Sequence, residues 1–465
     1  MTLGERRNLA RVACAAAALL LAAACQTGEK NPFAAPSGPG PWPEANAQFG
    51  AADGIAEAPV VGFSTDETQN RWAATHQALY LMRPGEKRFR RYDARDGLHL
   101  QGNPVRYCDT WAPDHACPIY GGAADPGITE ITGGGPNEVF VGYAGNEAGT
   151  QEYDDPNRHT GKLDRVRLNP DGTLSVDRLD LVAGVSAQFW HDRTVQRLLY
   201  DHVQHPHELY VGTNHGVTRL QPDRYRPPRP GEWFNDVNKE YMADHLHPRV
   251  CYHAACSGDS NQRLGDWRGL ALALDGDLWV AGKWTAGKIR WSADNRDWYS
   301  RPGAQAFALA FGDPYPQQTS TPGFFNEPVF RVAQEGDTVS LSAVAVGKDG
   351  RVWFASDPLS SRDIAWGVAA WDGRTFRAID PQAELGLAEV AVRDLVALPD
   401  GRLVFAAPST GLLVYDPATR AHVALRGRAV LPDDRVLRLD LDARVRPFAL
   451  HVATAGGAAV LRTLP

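Results

Sequence analysis

Seven histidines, His202, His205, His207, His215, His245, His247 and His253, crowd one short stretch of the chain. Imidazole nitrogens suit zinc and other borderline cations, and Asp244 offers a carboxylate beside them. Apolar runs and turn residues interrupt the stretch, which divides it. HVQHPH, from His202 to His207, falls in the turn after a first strand. His215, in TNHG, falls in the next turn. DHLHPRVCYHAAC, from Asp244 to Cys256, falls in a long connection. The candidate divalent-metal set is therefore His215, Asp244, His245, His247 and His253. Hydrogen bonding of these rings to loop backbone is the competing reading.

The chain has six cysteines. Cys14 and Cys25 belong to the N-terminal segment. Cys108 and Cys117 bracket CDTWAPDHAC, and Cys251 and Cys256 bracket CYHAAC. Two disulfides are expected in an oxidising compartment, with the short-range pairing the simplest of the three possible. A thiolate metal site is the alternative, although neither stretch has CxxC spacing.

That compartment is read from the N-terminus. Arg6, Arg7 and Arg11 precede the apolar run ACAAAALLLAAA (Ala13 to Ala24), which is too short to span a membrane. LAAAC is similar to a bacterial lipoprotein cleavage site. The resemblance implies that residues 1–24 are a signal peptide and that Cys25 becomes the lipidated first residue, carrying palmitate. It also implies delivery to the outer membrane, because Gln26 rather than Asp follows. An ordinary secretory signal is the bland alternative. The Pro-, Gly- and Ala-rich residues 25–45 are expected to form a disordered tether.

The elements that must position these groups repeat. Trp72, Phe140, Tyr210, Trp279, Trp353, Phe405 and His451 each sit in the second of a set of short apolar runs, at spacings of roughly 45 to 75 residues. The clearest copy is VRDLVALPDGRLVFAAPSTGLLVYDPATRAHVAL (Val392 to Leu425), which reads as four strands joined by tight turns. LDGDLW, KDGRVW and PDGRLV place Asp-Gly before the second strand, where a two-residue hairpin needs positive φ. GGGPNE and HVQHPHE replace it in the second and third copies. No long helical periodicity interrupts the pattern. The fold class is therefore all-β, a seven-bladed β-propeller of four-stranded antiparallel blades over residues 46–465. The last copy supplies only three strands. AQFGAADGI (Ala47 to Ile55) matches the outer-strand text FRRYDARDGL (Phe89 to Leu98), so an N-terminal strand is expected to close the ring.

F-x-x-Y-x-x-x-D-G-L, an apolar strand, D-G-x-L-W-V-A and G-L-x-x-Y together resemble the propeller repeats of two-component regulator sensors. They are also similar to streptogramin-lyase-type repeats. The resemblance covers residues 47–465 and implies the fold, whereas propellers of both kinds serve as sensors and as enzymes. No catalytic constellation transfers onto residues of this chain.

In such a blade, the A–B and C–D turns emerge on one side of the ring and the B–C and D–A connections on the other. The A–B and C–D turns here are tight. The insertions at 99–127, 144–161, 223–266 and 301–337 are all expected on the second side, which reads as a binding face. His76, Asp154, Asp155, His159, Lys283, Trp284, Arg362 and Asp363 come from its B–C turns and are the candidate contact residues. Trp72, Trp279 and Trp353 are mid-strand and read as blade packing. The formal charge of −7, with no basic stripe, argues against nucleic acid. The expected molecule is a monomeric, non-catalytic, lipid-anchored propeller at the outer membrane, facing periplasm or cell surface. It binds a periplasmic or outer-membrane protein, peptide or glycan and needs no cofactor. The alternative is a metal-assisted lyase or hydrolase built on the histidine set.

Overall fold

Strands that are apolar on both faces must be covered on both faces, and ring stacking of sheets achieves this. The computed structural model describes residues 40–100, 127–144, 161–181, 194–213, 217–225, 242–246, 267–282, 285–289, 338–339, 341–358, 363–364 and 367–465. Their strands form seven small antiparallel sheets, the blades of a β-propeller. The innermost strands (A) are Val60–Thr65, Ile128–Gly133, Val195–Asp201, Gly269–Leu272, Leu341–Val346, Asp394–Ala397 and Val436–Asp442. Each touches the innermost strand of the next blade, and the seventh touches the first. Six of the sheets are described with four strands and blade four with three.

All seven repeat-defining residues lie on second strands (B), and all are buried. They pack between sheets rather than toward a ligand. Trp72 joins Leu81, Ile131 and Val141 between blades one and two. Trp353 joins Leu395, Leu413 and Tyr415 between blades five and six. The Asp-Gly turns form as expected, with Gly276, Gly350 and Gly401 at φ of 88°, 80° and 100°. Where Asp-Gly is missing, an aspartate ending strand A can take over the turn. Asp201 accepts from the backbone N–H of Val203, Gln204 and His205. Asp66 accepts from those of Thr68 and Asn70, and also from Trp72 Nε1 at 2.9 Å.

The N-terminal strand closes the ring. Ala47–Phe49 pairs antiparallel with Gly457–Leu461, Gln48 opposite Ala459, as the outermost strand (D) of blade seven. This removes an open sheet edge. Its likeness to the outer strand of blade one extends past the strand. Both run into a single 3-10 turn, Ala51–Asp53 and Ala94–Asp96, that ends on a left-handed glycine, Gly54 or Gly97. The described residues begin inside the segment read from composition as a tether. Gly40 to Ala45 are described, Trp42 is buried, and its Nε1 donates to the Gln69 carbonyl at 2.7 Å. Trp42 belongs to the ring because its indole has both an apolar wall and a hydrogen-bond acceptor there.

One repeat position breaks the aromatic rule. His451 stands where the other blades carry Trp, Tyr or Phe. It is 1% exposed, neither ring nitrogen has a hydrogen-bond partner, and its ring meets Phe63 edge-on at 5.1 Å. Burial pushes its pKa down to about 3, from an ordinary 6.5. Between those values the unfolded chain binds a proton that the folded chain refuses, so this residue's contribution is complete above 6.5 and is lost as pH falls toward 3. The loss amounts to about 2 kcal/mol between pH 8 and pH 5. His451→Phe should therefore unfold at higher denaturant concentration than the parent at pH 5, with the gap narrowing at pH 8. A gap independent of pH would show that His451 is not buried neutral.

Candidate functional site

The first strands carry charge into the ring's centre. Arg197 Nη1 of blade three meets Asp394 Oδ2 of blade six at 2.8 Å. Arg438 Nη2 of blade seven meets Glu130 Oε2 of blade two at 2.5 Å. The same Asp394 oxygen accepts from the Leu439 backbone N–H at 2.8 Å, and Arg438 Nη2 donates to the Gln196 carbonyl at 3.0 Å. Blades two, three, six and seven are thus tied across the channel. Glu130 is pushed up to about 7 because burial outweighs the neighbouring Arg438 and Arg197 charges. These carboxylates are spent on guanidiniums, which makes the cluster a brace rather than a nucleophile–base pair.

A second cluster lies at the inner-strand ends on the side of the A–B turns. Arg444 Nε reaches Asp442 Oδ1 at 2.9 Å, and its Nη2 donates to the Thr65 carbonyl at 2.8 Å. Thr65 Oγ1 and Gln69 Nε2 each donate to Asp442 Oδ2 at 2.7 Å. Burial alone would raise the Asp442 pKa, but Arg444, Gln69 and Thr65 outweigh it and hold the carboxyl well below the usual range. His202 Nδ1 lies 3.0 Å from Arg444 Nη1 and 3.2 Å from Glu67 Oε1. The HVQHPH run therefore stands where topology placed it, between strands A and B of blade three. His207 Nδ1 is 3.0 Å from Tyr200 Oη and 3.4 Å from Asp223 Oδ2.

The opposite side carries the B–C and D–A connections. His76 lies there, its Nδ1 at 2.9 Å from the Ile128 carbonyl, so it joins blades one and two. Asp363 lies on a two-residue strand, Asp363–Ile364, paired in parallel with Thr338–Val339. His215, His247, His253, Asp154, Asp155, His159, Lys283, Trp284 and Arg362 lie outside the described residues, as do Cys25, Cys108, Cys117, Cys251 and Cys256. Asp244 and His245 are not in a loop. They fall on Met242–Leu246, which pairs with Val217–Leu220 as the fourth strand of blade three. The segment expected as one long connection on the second side therefore contains the blade's outer strand, needed to cover the third. The stretch between Leu220 and Met242 is a C–D connection belonging to the side of the A–B turns, so the expectation that all four insertions share one side is corrected. Among the described residues, no group of three or more His, Cys, Asp or Glu is placed to hold a metal ion. No helix among them is long and apolar enough to cross a membrane.

Several polar anchors on this side are not prominent in the sequence. His99 Nδ1 sits 2.5 Å from Asp164 Oδ1, whose other oxygen accepts from Tyr143 Oη at 2.6 Å. Burial, then the Asp164 charge, pushes the tyrosine hydroxyl well above its ordinary pKa. The buried carboxylate pins the start of the 99–127 connection to blade two. Arg393 Nε pairs with Asp357 Oδ2 at 2.7 Å, and Glu389 Oε1 accepts from Ser409 and Thr410. The charged channel strands did leave a signal in the text. Val436–Asp442 reads VLRLDLD, with charge alternating at period two inside an expected core strand.

No protein-family model and no curated protein matches the sequence. Among solved structures, the extracellular domain of a protein described as a hybrid two-component system of B. thetaiotaomicron is similar at 13% identity and a TM-score of 0.48. The match covers 90% of this chain and 42% of that one. A chain of the mitotic checkpoint complex is similar at 11% identity and a TM-score of 0.44, over 90% of this chain and 93% of that one. The extracellular domain of a one-component system of B. thetaiotaomicron gives 11% identity and a TM-score of 0.32, over 86% of this chain and 39% of that one. The chain spans less than half the length of both bacterial proteins. Its own sheets define it as a seven-bladed propeller.

The channel brace makes a double-mutant prediction. Arg438→Met leaves the Glu130 carboxyl buried without its guanidinium, and at pH 8 should cost about 3 to 5 kcal/mol of unfolding free energy. Arg438→Met combined with Glu130→Met should recover most of that loss, as read by denaturant unfolding. Additive losses would mean that the two groups do not act as a pair.

Proposed function

We propose that this chain is a non-catalytic binding propeller. It meets a protein, peptide or glycan through the face that carries its B–C and D–A connections, and a lipid on Cys25 holds it to the bacterial outer membrane. The observation that carries this reading is where the first described residues join the ring. Gly40 packs against Val445, in the turn between strands A and B of blade seven. Asn46 then bonds to Thr463 and Arg462 at the C-terminal end. A tether anchored at its far end would then meet the ring on the side of the A–B turns, and the side of the B–C and D–A connections would face away from the membrane. The channel charges described above pair with one another, which supports binding rather than chemistry.

The two sides can be compared within one blade. Ser409 is exposed in the B–C turn of blade six, and Asp400 is exposed in its A–B turn. A photocrosslinking amino acid at position 409 of the full chain, expressed in a bacterial envelope, should give a discrete higher-mass adduct, and one at position 400 should not. Adducts from 400 alone, or from neither, would count against the assignment.

A further inference from the structure

On the side where the chain enters, a pocket of about 520 Å³ opens between the outer strand of blade seven and the outer half of blade one. That volume suits a small organic ligand. Trp42, Phe49 and Met82 give it apolar walls, Arg71 lies within it, and Asn46 and Lys87 stand around it. Arg71 begins strand B of blade one, opposite Met82 in the register.

Arg71 is the unusual group. It is 4% exposed, and its guanidinium stacks on Trp42 at 3.7 Å and faces Phe49 at 5.2 Å. Nε has no hydrogen-bond partner, and no carboxylate pairs with the side chain among the described residues. The neighbouring acid Glu86 is held by Arg83 at 2.6 Å. Arg462, also buried, lies near enough to repel it; burial first, and that charge second, bring Arg71 down to about 9. The channel guanidiniums differ, with Arg197 on Asp394 and Arg444 on Asp442. An unpaired buried charge is costly, and stacking on an indole offsets only part of that cost.

We infer that this pocket binds a small carboxylic acid with an aromatic or aliphatic body, its carboxylate on Arg71 and its body against Trp42, Phe49 and Met82. Stacking occupies the guanidinium face and leaves its in-plane N–H fork for a planar carboxylate, which that fork matches in two parallel bonds. Lys87 also lines the pocket and adds a second positive charge, while the lining Glu86 is held by Arg83. The ligand would also bridge the entering segment to blade one, because Trp42 belongs to that segment and Arg71 to the blade.

The full chain is titrated by calorimetry with benzoate, acetate and sulfate at constant ionic strength. Benzoate should bind one to one, more tightly than acetate or sulfate. Arg71→Met should weaken benzoate by about tenfold to a hundredfold, the loss of a charged hydrogen-bonding partner. In the absence of ligand, the same variant should melt at the parent's temperature or above it, because an unpaired charge has gone. The parent supplies a check that needs no substitution: benzoate should protect Arg71 from phenylglyoxal in a peptide map. No benzoate binding, equal binding by Arg71→Met, sulfate binding as tight as benzoate, or no protection of Arg71 would each overturn the proposal.

Discussion

The ring holds only if its last sheet finds a fourth strand, and that strand comes from the other end of the chain. Ala47–Phe49 on Gly457–Leu461 is a three-residue pairing, short for the task it performs. Side chains extend it on both flanks. Asn46 Oδ1 accepts from the backbone N–H of Arg462 at 2.7 Å. Phe49 packs edge-on against Phe63 and Phe89 of blade one. Trp42 reaches the Gln69 carbonyl, Gln69 reaches Asp442, and Asp442 holds Arg444. Closure is thus coupled to the charged cluster at the channel mouth, and both ends of the chain are fixed by the same contacts.

With the ring closed, its two sides have different work. The side of the tight turns is rich in short polar networks, with Asp66, Asp201 and Asp442 each ending an inner strand and accepting from backbone N–H groups of the following turn. It also receives the entering chain and contains the Arg71 pocket. The other side carries the B–C and D–A connections, and buried polar groups hold strand ends there. Asp164 is an example, a fully buried carboxylate that fixes His99 just as the first connection departs.

The blade pattern was legible because burial between sheets demands a large side chain at one position of each second strand, and that demand leaves a repeating mark. The ring-closing strand was legible because AQFGAADG and FRRYDARDG share a strand, a 3-10 turn and a left-handed glycine. The channel brace was not identified. Only Arg438 stands in an alternating charged run, VLRLDLD; Glu130, Arg197 and Asp394 are isolated charges in separate copies, and only ring geometry brings the four together. Trp42 was hidden by its neighbours, since Pro and Gly on both sides read as tether while one indole with a partner suffices to order them. The strand at Met242–Leu246 was missed because its polar residues suit an outermost strand and resemble a loop. The histidine grouping drawn along the chain put Asp244 and His245 in a connection, and they stand on that strand.

Closure by the N-terminal strand is tested most directly by native-state hydrogen exchange of the full chain. Amides of Gly457–Leu461 that pair with Ala47–Phe49 should exchange as slowly as those of the inner strand Val60–Thr65, opening only with the whole ring. Fast exchange of that pairing, while Val60–Thr65 stays protected, would show a ring that stands without its clasp and would contradict the account.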